Sequence, residues 1–500
     1  MFLTMFLILC TLVILYVYLV WNFNYWKKRR VPGPKPATLM GSFPGTFFQK
    51  KHIVDEIDEI YKEYKGSTPF VGVFSSRSPQ LMLLDPVLIK ETLIKDFQSF
   101  HDNEFGDLID KASDPILSQN PFILCGSEWK EKRAEITPAF TVSRVKAMYP
   151  IFDDVCRKMS SYVTAKLEQK SKMFDIKELA AKYSTDVVSS VIYGIDSKSF
   201  ENNNGKCEIR ENGSSMFESS STIVIYFTLV SIFPFIKKLY KVVPSSVEKF
   251  FQNLLNDAIK MRKESNVERE DFLSYLLDLK EKKNLSKMDM ASHSITVFLD
   301  GFETSTAVIS YALYHLACNP HVQRKLREEI NESIRVNGSL DHDSILEMKY
   351  LDQVFNETLR LNPPFGTFSK RCNSPIEYND YKGNTFTLEK DKVVIIPVYS
   401  LHTDPDFFPN PKVFDPERFS EANGGTKPYK DSSVFLPFGS GPRICLGMRF
   451  ATFQSKAAIV EIIRNFDISV SKKTKIPFVF DPSRFLLTPQ DQIWLDFESL

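Results

Sequence analysis

The chain has only seven cysteines in 500 residues, Cys10, Cys125, Cys156, Cys207, Cys318, Cys372 and Cys445, and no two form a C-x-x-C pair. That spacing excludes zinc clusters and a disulfide framework and fits a reducing compartment. An excess of charge is also missing. The 62 acidic and 63 basic side chains nearly cancel, which leaves no basic stripe to grip nucleic acid. Interior Gly/Ser linkers, low-complexity blocks and repeats are lacking too, so nothing divides the chain, although its length would hold two or three domains of about 150 residues. No G-x-G-x-x-G loop, flavin motif or iron–sulfur motif is present.

Charge is absent altogether from Met1 to Trp21. At about 1.5 Å per helical residue, that run roughly matches the ~30 Å of a hydrocarbon core. A cleaved leader would need small residues at its exit, where Tyr18, Trp21, Tyr25 and Trp26 stand instead. Residues 1–22 therefore read as a transmembrane anchor. Residues 23–37 add Lys27, Lys28, Arg29 and Arg30, which stay cytosolic, and the stiff hinge of Pro32, Pro34 and Pro36. Residues 38–500 read as one large domain. Its pattern is mainly α with a minor β-sheet region: strand pairs are expected over 71–84 and 386–399, and a long helix from Met290 to Leu316. The apolar run 221–244 is broken by Pro234, too short for a second span, and suited to dipping into a membrane surface.

The most informative stretch is "FLPFGSGPRICLG", Phe435 to Gly447. Around Cys445 the glycines let backbone N–H groups approach the sulfur, and Arg443 adds a fixed positive charge; both favour a thiolate. A lone cysteine would read as a small buried hydrophobe. With Phe438, Gly441, Arg443 and Gly447 in register, the motif resembles the cysteine-ligand loop of the cytochromes P450, the haem-thiolate monooxygenases. The resemblance covers nearly the whole chain, is nearest to insect-type microsomal members, and implies the cytochrome P450 fold.

It also implies a cofactor and a set of sites. The cofactor is haem b (iron protoporphyrin IX), with Cys445 as axial ligand. Thr304 and Glu303, in "LDGFETST" beside Gly301, would relay protons for oxygen activation, although Asp300 replaces the family's common alanine. Glu357 and Arg360, three apart on one helical face, would join Arg418 in a buried structural network. Trp129, Arg133 and Arg443 would hold the propionates. Lys370 stands where the family usually has arginine, with Arg371 beside it, and either could make that contact. Segments 100–125, 298–304, 365–369 and 485–489 would line the cavity.

Electrons would come from an NADPH-dependent flavoprotein, the cytochrome P450 reductase, with cytochrome b5 as a second donor. The substrate would be a small lipophile, and the protein would sit in the endoplasmic reticulum (microsomal) membrane with its domain in the cytosol. A haem-thiolate isomerase or peroxide-using enzyme would not need the acid and hydroxyl of the long helix. A non-catalytic haem sensor is the alternative from another class.

Overall fold

The structure is a computed structural model that describes residues 1–201, 207–215, 221–265 and 269–500. Phe2–Val20 forms helix α1, which buries none of its residues; among the described residues it is the one helix long and apolar enough to cross a membrane. The connector after it packs against the sheet. Trp26 is buried and donates its indole N–H to the Val73 carbonyl at 3.0 Å, and the Gly72 N–H reaches the Pro32 carbonyl at 2.8 Å. A Cβ on Gly72 would lie 2.3 Å from the Trp26 ring, so the sheet meets the connector only because that residue is glycine.

Along the chain follow β1 (Phe70–Ser75), β2 (Ser78–Leu83), α2 (Gly126–Ile136), β3 (Met173–Asp175), α3 (Ile176–Tyr193), α4 (Ser221–Ile232), α5 (Lys287–Cys318) and α6 (Lys349–Leu361). Next come β4 (Phe368–Arg371), β5 (Ile376–Asn379), β6 (Thr385–Leu388), β7 (Val393–Ile396), α7 (Met448–Asn465), β8 (Phe466–Val470) and β9 (Trp494–Ser499). The expected hairpin at 71–84 is β1 and β2, antiparallel with Phe70 opposite Leu83. The expected pair over 386–399 exists as strands that do not pair with each other. β6 joins β5, whereas β7 lies between β2, in parallel, and β4, antiparallel. Adjacent apolar runs show that strands form but not which strands meet.

The large helical core is built around α5, which packs along α3 and α7. Ser286 and Asp289 close a reciprocal capping box at its start, and Asn319-Pro320 ends it. Most of the helix is buried, so its hydroxyls need internal acceptors. Ser294, Thr304, Thr306 and Ser310 each donate to the carbonyl four residues back, at 2.7–3.0 Å.

The expected charge network is present. The Arg360 guanidinium, wholly buried, grips Glu357 with Nε and Nη2 at 2.7 Å each. Its Nη1 donates to the His402 carbonyl at 2.8 Å, while Arg418 Nε and the Asp415 N–H reach Glu357 at 3.3 and 3.0 Å. His402 Nε2 in turn accepts the Leu436 N–H at 2.8 Å, tying the network to the cysteine loop. Removing one partner strands the other charge in the core, so Glu357→Ala or Arg360→Ala should cost about 3–5 kcal/mol. Thermal or denaturant unfolding of the full chain checks this, and a loss below about 1 kcal/mol would place the pair among ordinary surface bridges.

Candidate active site: a cysteine loop facing the central helix

The cysteine loop is a tight turn leading into the N-terminus of α7. Gly439 and Gly441 have φ of +74° and +73°. A Cβ on Gly441 would lie 2.1 Å from the Leu93 carbonyl oxygen, so the loop closes against that backbone only with glycine. The Cys445 N–H donates to the Phe438 carbonyl at 2.9 Å, which places the sulfur above the start of the helix. Burial pushes the Cys445 thiol up to about 11. A hydrogen bond from the Gly447 N–H and the charge of Arg133 oppose this, while Asp300 adds to it. A sulfur so placed becomes a thiolate when a cation binds it. Gly447 acts through its N–H, because a Cβ there would meet nothing within 4 Å.

Basic groups gather on one flank. Arg133 Nη2 donates to the Ile444 carbonyl at 2.6 Å. Arg443 lies 4.2 Å from the Trp129 ring centroid and donates to the Leu124 carbonyl at 2.8 Å and to Asp102 at 3.2 Å. Successive strand residues point to opposite faces, and β4 separates Lys370 from Arg371 accordingly. Arg371 pairs with Asp107 at 2.7 Å and Asp102 at 3.2 Å, whereas its Nε has no hydrogen-bond partner among the described residues. Buried Lys370 makes no hydrogen bond or ion pair among the described residues; burial and then the nearby Arg443 pull it down to about 7. A buried ammonium beside two guanidinium groups is costly unless an anion joins them. Asp102 is the organiser that the motifs did not reveal. It also accepts from the Gly126 N–H at 2.7 Å and Asn373 at 2.8 Å, yet no local pattern marks it.

On α5, Asp300 and Thr304 are one turn apart and share a face. Asp300 and Cys445 both have exposed side chains, and the Asp300 charge acts on the Cys445 thiol, so the acid of α5 and the sulfur of the loop lie near one another. The Thr304 hydroxyl donates to the Asp300 carbonyl at 2.7 Å, which leaves its oxygen as an acceptor. Glu303 turns about 100° away. It is buried and paired with Lys177 of α3 at 3.2 Å, so it stands behind Thr304 rather than beside it. Gly301 faces α3 as well, where a Cβ would lie 3.3 Å from Val188; its small size serves helix packing rather than room in the pocket.

Of the expected lining, Phe122, Phe365 and Phe485 do come together. With Phe105 they form a cluster of four rings whose centroids are 5.1–6.2 Å apart. Phe100 and Phe298, by contrast, are fully buried in the cores. The donors fit a dianionic macrocycle bound through sulfur: Cys445 on one side, and Lys370, Arg133, Arg443 and Trp129 at the edge.

The chain matches the Cytochrome P450 family over residues 31–495. It is 41% identical to the probable cytochrome P450 28d1 of Drosophila melanogaster, over 99% of this chain and 98% of that protein. It is 39% identical to the probable cytochrome P450 28a5 of the same species, over 97% of each. Identity with cytochrome P450 6A1 of Musca domestica is 34%, over 96% of this chain and 94% of that protein. The chain belongs to the cytochrome P450 family. Haem is its cofactor, and the family's members are generally monooxygenases that work with redox partners on small molecules. The apolar α1 is consistent with the membrane anchor of microsomal members.

If Lys370 completes the propionate cradle, Lys370→Ala should release haem about 10–100-fold faster, the worth of one charge-assisted hydrogen bond. Arg371→Ala should chiefly lower the melting temperature. Haem-transfer kinetics alongside thermal unfolding separates the two, and faster haem loss from Arg371→Ala alone would reverse the assignment.

Proposed function

We propose that the protein is a membrane-anchored monooxygenase. It inserts one atom of dioxygen into a small lipophilic substrate, using NADPH electrons delivered by the flavoprotein reductase, with cytochrome b5 as a second donor. The observation that carries this reading is the exposed Cys445 in its glycine loop, near enough to Asp300 of α5 for that carboxyl to act on the thiol. Cys445 would hold the iron through its sulfur, and Trp129, Arg133, Lys370 and Arg443 would hold the propionates. Phe438, Gly441 and Gly447 shape the loop. The bound haem supplies oxygen activation, favoured by electron donation from a thiolate ligand.

The chain's own residues bring protons and keep water in order. With its proton engaged by the Asp300 carbonyl, the Thr304 oxygen accepts a hydrogen bond from a group in the pocket and fixes its position. Lys177 is 37% exposed and touches Glu303 Oε1, which connects bulk solvent to the rear of the helix. Glu303 is then the inner end of a path from solvent to α5, and Thr304 orders the acceptor on the other side of the helix. The body lies on the cytosolic face of the endoplasmic reticulum membrane. Ile225, Leu229, Phe235 and Leu239 on and after α4 are exposed and meet that surface.

Cys445→Ala should abolish the red-shifted Soret band of the reduced carbon monoxide complex. An unchanged band would remove Cys445 as ligand. Thr304→Ala should keep haem and consume NADPH but divert electrons to free hydrogen peroxide, because losing one proton-transfer group costs about 10²–10⁴-fold in its step. Parallel assays of NADPH, peroxide and product in the reconstituted system measure the coupling, and wild-type coupling in the variant would rule Thr304 out.

A further inference from the structure

Asp300 is the acid at the pocket for which the protein provides no counter-charge. Glu303 has Lys177, and Asp102 has Arg371 and Arg443, whereas among the described residues no lysine, arginine or histidine pairs with Asp300. The one side chain that opposes the effect of burial on its carboxyl is Asn120, which is buried and neutral. A carboxylate offers about four lone-pair sites, and one amide satisfies few of them. Burial accordingly pushes the carboxyl up to about 7.

Asn120 also shows what else faces this group. Its Oδ1 accepts the Phe122 N–H at 2.7 Å, so the residue that steadies Asp300 also positions the first ring of the four-phenyl cluster. Phe122 meets Phe105 at 5.1 Å and Phe365 at 6.2 Å, and Phe485 closes the group at 5.5 Å from each of those two. Phe122 and Phe485 remain 43% and 49% exposed, so they present ring surface rather than filling a core. Aromatic faces attract cations through the ring quadrupole, most strongly away from water. Asn120 links this cluster to the Asp300 carboxyl, and one helical turn along from Asp300 is the acceptor oxygen of Thr304.

We propose that this pocket selects organic cations: substrates carrying a protonated or quaternary aliphatic nitrogen on an apolar skeleton, with the nitrogen held by Asp300 and the phenyl cluster. The inference rests on the pocket being the substrate site, as proposed above. The cation supplies the charge that Asp300 lacks, and the skeleton takes the apolar surface. Asp300 is then a specificity-determining residue of α5, distinct in role from Thr304.

The test is equilibrium dialysis of the full-length haem-loaded protein with two probes. One carries a trimethylammonium group on a phenylbutyl chain; in the other, carbon replaces the nitrogen. A quaternary nitrogen can neither lose its charge nor coordinate iron. Asp300→Asn should weaken the cation at least about tenfold and leave the neutral probe within about twofold, which also shows that the variant is folded. Equal weakening of both probes, or of neither, overturns the proposal. A variant that keeps the cation affinity but leaks peroxide overturns it as well and assigns Asp300 to proton delivery. If the wild type binds the neutral probe but not the cation, the cation selectivity fails while the substrate site stands. If it binds neither, the reading of the pocket fails too.

Discussion

A fully buried guanidinium is the constraint to which the rest of this structure answers. Arg360 cannot give up its charge, and it sits where water does not reach, so each of its donors must find an acceptor. Glu357 supplies two, and the carbonyls of His402 and Val413 supply more. Those carbonyls belong to the segment that leads toward the cysteine loop, and the His402 ring then captures the Leu436 N–H. The loop is thus held from behind by an arrangement that loses its compensation if any member moves. Rigidity of this kind suits a ligand that must meet a metal in one geometry.

Charge compensation also organises the front of the loop. Asp102 gathers Arg371, Arg443, Asn373 and the Gly126 N–H, so that helix α2, strand β4 and the loop share one acceptor. Lys370 is the residue left over. It is enclosed beside like charges, and among the described residues no anion pairs with its ammonium.

What could be read from the sequence was what is local in the chain. Cys445 and its glycines are contiguous, and Glu357 and Arg360 lie within one helical turn, so spacing alone brought them together. The long central helix announced itself in the same way. Residues that act through distant contacts left no such trace. Asp102 meets Arg443 across 341 positions, and Asn120 faces Asp300 from a separate segment. That Lys370 and Arg371 face opposite ways needed the pleat of β4, and the true partners of β6 and β7 needed the sheet order. Glu303 and Thr304 are neighbours in sequence, yet helical geometry sends one to Lys177 and the other to the pocket.

The junction between α1 and the body has a mechanical consequence. Tyr18, at the end of α1, donates to the Ile232 carbonyl at 2.8 Å and stacks on Phe233, while Arg77 of the β1–β2 turn donates to the Tyr18 carbonyl at 3.0 Å. Trp26 adds a further attachment a few residues on. A body fastened at several points cannot swivel about its tether. With α1 across a bilayer, its attitude to the lipid is set, and a second protein on the same membrane searches for it in two dimensions with one face already presented.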